Sequence, residues 1–168
     1  MPGVTDASRT VAVLVEDRPA VLQRITNCLG RRGFQLQGCS IGQSATDGCL
    51  RVTLRVDVGG QPPDQLVKQL RRLIDVVEVI DLTATTPVEW ETTLIKLAHD
   101  GDPSAIVREI ATCQGQVVDT SPTTITAALS GDPLLVDAGL ARLTGFQILD
   151  LARSGPVAVA RHGAGQGG

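Results

Sequence analysis

The chain has 168 residues, 42% of them hydrophobic but only 2% aromatic, and a formal net charge of −3. That length admits one large domain or two small ones, with a core built from Val, Leu, Ile and Ala. The charge and a sequence pI of about 5.3 leave no electrostatic footprint for nucleic acid, and no apolar run reaches the ~18 residues a membrane span needs.

Residues 10–15 form a β-branched and aliphatic run, expected as a buried strand. Val21, Leu22, Ile25, Cys28 and Leu29 follow at helical spacing and predict an amphipathic helix. Asp17 is its expected cap, Pro19 falls in its first turn, and Gly33 ends it at a position suited to positive φ. Amides converging at such a helix N-terminus can hold a carboxylate.

Residues 34–41 and 49–58 read as strands joined by a polar hairpin loop, residues 42–48. The second alternates Leu50, Val52, Leu54 and Val56 with Arg51, Thr53, Arg55 and Asp57, the pattern of a sheet with one wet face. Pro62-Pro63-Asp64 opens a helix with Leu66, Val67, Leu70, Leu73 and Ile74 on one face, and residues 76–82 close the unit. The order is βαββαβ, an antiparallel sheet with two helices on one face.

After a linker at residues 83–87 the pattern repeats. Strand, helix, hairpin, helix and strand fall at residues 92–98, 103–113, 115–129, 133–143 and 146–151, the hairpin turning at Ser121-Pro122. The expected fold class is therefore α+β, two tandem ferredoxin-like units. The boundaries are residues 9–83 and 88–162, with a flexible glycine-rich tail at residues 163–168.

The βαββαβ layout serves RNA binding, metal binding and ligand sensing alike, so the residues must decide. RNA recognition on such a sheet needs exposed aromatics, and the strand beginning at Cys49 has none. A metal chaperone needs a cysteine pair after the first strand, where Glu16-Asp17-Arg18-Pro19 stands. Cys28, Cys39, Cys49 and Cys113 include no CxxC pair, and are expected as reduced thiols packed as small hydrophobes. Asp57, Asp75, Asp119 and Asp150 are scattered; capping and solvation are their expected roles, not acid/base catalysis. Trp90 is expected as an interface or core anchor. Ligand sensing or protein interaction remains.

At this point the motifs resemble one family, the regulatory (small) subunit of acetolactate synthase, over roughly residues 9–162. Val13-Leu-Val-Glu-Asp-Arg-Pro-Ala-Val-Leu22 and Arg31-Arg-Gly-Phe-Gln-Leu36 are similar to the family's first unit. Glu91-Thr-Thr-Leu-Ile-Lys-Leu97, Gly115-Gln-Val-Val-Asp-Thr-Ser-Pro122 and Ala152-Arg-Ser-Gly155 are similar to its second. The resemblance implies an ACT domain that pairs with a second copy and binds a branched-chain amino acid, usually valine, across the dimer interface. It implies a non-catalytic subunit that activates the catalytic (large) subunit and confers feedback control in valine, leucine and isoleucine biosynthesis; the polar residues 1–8 and the lack of an apolar span make a cytoplasmic location the expectation. Thiamine diphosphate, magnesium and FAD would reside on that partner, with no cofactor, nucleic acid or membrane engaged by this chain.

Asp17, Arg18, Pro19, Ala20 and Val21 would then hold the effector carboxylate, and Gln35 and Leu36 would meet it from the facing subunit. Two positions depart from the family's pattern. Ala20 stands where glycine is usual, and Gln35 where asparagine is usual, one methylene longer. Both place the response to valine in question. The alternative is a stand-alone amino-acid sensor of the same domain type that regulates a different partner.

Overall fold

The computed structural model describes residues 8–161; the expected tail at residues 163–168 lies outside them. The chain divides into two compact units, one of residues 8–88 with 155–161 and one of residues 89–154. No helix among the described residues is long and apolar enough to cross a membrane.

The first unit runs β1 (Ser8–Glu16), α1 (Val21–Arg31), β2 (Gln35–Gln43), β3 (Cys49–Asp57), α2 (Pro63–Leu70) and β4 (Val76–Asp81). Its sheet is antiparallel in the order β2-β3-β1-β4. Register places Val11 opposite Leu54 and Val13 opposite Val52, so the β-branched run of β1 faces the core on every second residue. Val21, Ile25 and Leu29 from α1 and Leu66 and Leu70 from α2 complete that core.

Helix α1 ends with a pair of hydrogen bonds, Gly33 N to Gly30 O at 3.2 Å and Phe34 N to Leu29 O at 3.1 Å. Gly33 supplies the positive φ of 73° this closure requires. Its start differs from expectation. Asp17 does not cap the helix and Pro19 is not in its first turn, because the helix begins at Val21 with Ala20 as N-cap and no side-chain cap. Helix α2 stops at Leu70, sooner than the apolar spacing implied, which leaves Ile74 84% exposed in the following turn.

The second face of this sheet is not wet. Thr53 and Arg55 are buried, as are Thr10 and Ala12 of β1. Part of the cover is the chain's own C-terminal segment. The Ser40 hydroxyl donates to Pro156 O at 2.6 Å, Arg51 donates to Ala158 O at 2.9 Å, and Ala158 packs with Ala12 and Leu82. Residues 155–161 thus pack with the first unit, where the sequence boundary had assigned them to the second.

The second unit repeats the order with β5 (Val88–Ala98), α3 (Ser104–Thr112), β6 (Gln116–Thr120), β7 (Thr124–Gly131), α4 (Pro133–Leu143) and β8 (Ile148–Arg153), strands ordered β6-β7-β5-β8. Ile95 and Leu97 face Ile106, Ile110, Leu140 and Leu143. Helix α3 closes as α1 does, with Gln114 N on Ala111 O and Gly115 N on Ile110 O. Here the residue at positive φ is Gln114, and Gly115 is needed for space. A Cβ on Gly115 would stand 2.5 Å from the Leu129 side chain. A short strand, β9 (Val157–Val159), follows β8.

Candidate functional site

The turn between β1 and α1 is held by backbone. Asp17 N donates to Gly48 O at 2.9 Å, and Arg18 N donates to Glu16 O at 2.8 Å. The Arg18 guanidinium pairs with Glu16 at 2.7 Å, both side chains well exposed, so its charge is partly spent within the turn. Residues 17–20 are exposed, while Val21 is 5% exposed and anchors the turn in the core.

Ala20 has φ 67° and ψ 7°, the left-handed region that an L-residue with a Cβ enters at a cost of about 1–2 kcal/mol. The first turn of α1 has no acidic residue and no capping side chain. Among the described residues, the amides of Leu22 and Gln23 meet no protein acceptor, and Val21 N has only a long bond of 3.4 Å to Arg18 O. A helix start with open amides and no carboxylate of its own can take one from a ligand.

The other expected site residues lie elsewhere. Gln35 pairs with Asp57 and Leu36 with Val56, at one end of β3, whereas Glu16 pairs with Cys49 at the other. The nine residues from Cys49 to Asp57, eight steps along the strand, span about 26 Å at the usual strand rise. One chain therefore brings Asp17, Arg18, Pro19, Ala20 and Val21 together but not Gln35 and Leu36. Both of the latter are exposed on β2, an edge strand of the sheet.

Nucleophilic and metal chemistry find little footing among the described residues. Burial raises the thiol pKa of Cys28, Cys39 and Cys113, against opposing arginines beside Cys28, so these thiols stay protonated and weakly nucleophilic at neutral pH. No group of His, Cys, Asp and Glu there could hold a metal ion. Trp90 is 52% exposed and donates through Nε1 to Ser130 Oγ at 3.0 Å, so it is not a core anchor.

Two charged assemblies carry no signal in the local sequence. Asp75 is buried and paired with Arg24, not solvated at the surface. In the second unit Arg153 joins Glu91, 3% exposed, to Asp137. Glu91 and Arg153 belong to the Glu-Thr-Thr-Leu and Ala-Arg-Ser-Gly segments, and sequence proximity could not have paired them.

Family models match both units, one described as ACT domain over residues 17–79 and one as small subunit of acetolactate synthase over residues 90–162. A probable acetolactate synthase small subunit of Methanothermobacter thermautotrophicus is 36% identical over 153 residues, covering 90% of this chain and 91% of that protein. The acetolactate synthase small subunit of Mycolicibacterium smegmatis is 34% identical over 161 residues, 95% of each. The crystal structure of the acetolactate synthase small subunit from Thermotoga maritima superimposes with a TM-score of 0.81 at 30% identity, covering 92% of this chain and 97% of that one. The chain belongs to the acetolactate synthase small-subunit family, and its first unit is an ACT domain.

Proposed function

We propose that this chain is the regulatory partner of a cytoplasmic acetolactate synthase catalytic subunit, which it activates and which carries the thiamine diphosphate, magnesium and FAD. Its ACT domain takes a branched-chain amino acid between two copies. The observation that carries the effector reading is the β1–α1 turn, with open helix amides behind a left-handed residue 20.

The placement of β2 supports a site shared between copies. An antiparallel two-fold pairing along this edge sets the Gln35 end of one sheet beside the Gln43 end of the other. The partner's Gln35 then approaches the end of the sheet that carries the β1–α1 turn. The turn receives the ligand carboxylate, and the partner's side-chain amide receives its ammonium.

Valine sensitivity is weakened in this reading. Ala20 adds a methyl at the N-cap directly before the open amides, and Gln35 is longer than the amide usual there. A methyl in an unrelaxed contact costs about 1–3 kcal/mol, or roughly tenfold to a hundredfold in affinity.

An activity assay of the catalytic subunit with and without this chain, across valine, leucine and isoleucine, tests the whole reading. Stimulation with shallow valine inhibition is expected. No association with the catalytic subunit and no stimulation would overturn the regulatory role. Calorimetric valine affinity equal in the native chain and the Ala20→Gly variant would overturn the weakened site alone.

A further inference from the structure

A cavity of about 330 Å³ opens between α1 and α2, lined by Arg24, Arg31, Arg32 and Arg72 with Asn27, Gln69, Cys28 and Leu73. Arg31 lies at the far end of α1 from Ala20, about 16 Å away for an 11-residue helix. The cavity runs along α1 from Arg24, one turn beyond Ala20, to that far end. We propose that it binds a small phosphate-bearing anion.

Charge is the first argument. Arg24 is matched by Asp75, which leaves Arg31, Arg32 and Arg72 without a carboxylate partner among the described residues. The ordinary explanation of arginines at a helix end is compensation of the helix dipole, which presents only about half a charge at each C-terminus. Two such ends account for roughly one positive charge of the three. The surplus stands on a chain whose overall formal charge is −3, so it is a local feature and not a general basic character.

Geometry is the second. The four exposed arginines line one open concavity, and forked donors of this kind suit phosphate oxygens. Asn27 and Gln69 add amide donors from either helix. The volume lies at the lower end for small-molecule sites and suits a compact anion. One phosphate group, at about −1.5 to −2, matches the surplus of about two positive charges that the helix ends leave. Asp75 holds Arg24 in place, so one wall of the cavity is fixed before any ligand arrives.

Cys28 lies in the lining and supplies a reporter that needs no variant. Inorganic pyrophosphate added to the full-length chain should slow maleimide labelling of Cys28 at least fivefold. Cys39 and Cys113 should label at unchanged rates, and sodium chloride at matched ionic strength should have no effect. Calorimetry with pyrophosphate should show saturable binding that weakens tenfold or more in Arg31→Gln and in Arg72→Gln. Binding should be unchanged in Arg142→Gln, whose arginine pairs with Glu109 in the second unit. Adenosine diphosphate binding tenfold tighter than pyrophosphate would assign the phosphate group to a nucleotide; equal affinity would assign it to the free anion. Absence of Cys28 protection, or equal weakening in Arg142→Gln, overturns the site. Loss of this binding in Arg31→Gln leaves the effector reading untouched, because Arg31 lies at the opposite end of α1 from Ala20.

Discussion

Asp75, in the turn between α2 and β4, is 2% exposed and is held by the guanidinium of Arg24 reaching down from α1. Its backbone carbonyl also accepts the Glu16 amide at 2.9 Å, so one residue ties α1, β4 and the entrance of the β1–α1 turn. Truncating Arg24 to alanine leaves a carboxylate buried without its counter-charge. Breaking a buried pair in this way costs about 3–5 kcal/mol, but Arg24 is 45% exposed and water can reach part of its place. A loss of about 2 kcal/mol is expected in urea unfolding. Removing both groups together in Arg24→Ala/Asp75→Asn should cost less than the sum of the single changes. Additive losses would mean that the pair is not coupled.

Ala20 at φ 67° yields a prediction of opposite sign. Replacement by glycine removes about 1–2 kcal/mol of left-handed strain and adds about 0.4–1 kcal/mol of unfolded-state entropy cost. Ala20→Gly should therefore be neutral to about 1.6 kcal/mol more stable, an uncommon outcome for an alanine-to-glycine change at a helix boundary. Ala20→Val should be less stable than the native chain, since a branched Cβ is more crowded at positive φ. Thermal unfolding of the three proteins checks the order.

The strained residue was visible in sequence as a departure from glycine, yet the helix start beside it was not. Asp17 and Pro19 satisfy local rules for a cap and a first turn, but backbone bonds to Gly48 and Glu16 hold the chain in a turn until Val21. The core was legible because Val11, Val13 and Val15 pair with Leu54, Val52 and Leu50 under a simple period of two. The burial of Thr53 and Arg55 was not legible for the same reason. Their alternation reads as a wet face, and the segment that helps cover it arrives from residues 155–161, remote in sequence. Gln35 and Leu36 were identifiable as a motif, while their distance from Ala20 follows only from the strand register.

In the second unit Glu91 is almost wholly buried, and Arg153 joins it to Asp137. Arg153→Ala should destabilise this unit by about 3 kcal/mol, because it removes the guanidinium that joins the buried Glu91 carboxylate to Asp137. Glu91→Gln keeps shape and hydrogen bonding without the charge, so a smaller loss is expected. Hydrogen exchange should localise both effects to amides of β5 and β8. Uniform effects across both units would contradict the assignment.

The thiols supply a pH prediction. Burial is the leading cause raising the pKa of Cys28, Cys39 and Cys113, so each folded thiol ionises at higher pH than its unfolded counterpart. Their contribution to stability is complete below the free-thiol pKa of about 8.5 and falls as pH rises through the folded values. Labelling by iodoacetamide at pH 8 should be slower for each than for free cysteine. Stability should decline above roughly pH 9 less steeply in a Cys28→Ala/Cys39→Ala/Cys113→Ala protein. Labelling faster than free cysteine at any of the three would show a depressed pKa and reopen a reactive role.

Gly155, the last residue of the Ala-Arg-Ser-Gly segment, is where the chain returns to the first unit. Its φ is +75°, and a Cβ there would stand 2.7 Å from the carbonyl oxygen of Cys39, a backbone atom that cannot swing aside. Both strain and collision therefore act in Gly155→Ala, for an expected loss of about 2–4 kcal/mol. Gly60 isolates the first of these effects, since it has φ +82° and nothing within 4 Å of an added Cβ. Gly60→Ala should lose only about 1 kcal/mol. The difference between the two urea midpoints measures the close approach of residue 155 to β2. Faster hydrogen exchange at Thr53 and Arg55 in the Gly155 variant alone would show that the C-terminal segment has lifted from the sheet. Equal losses in the two variants, with exchange unchanged, would show that the segment contributes nothing to covering that face.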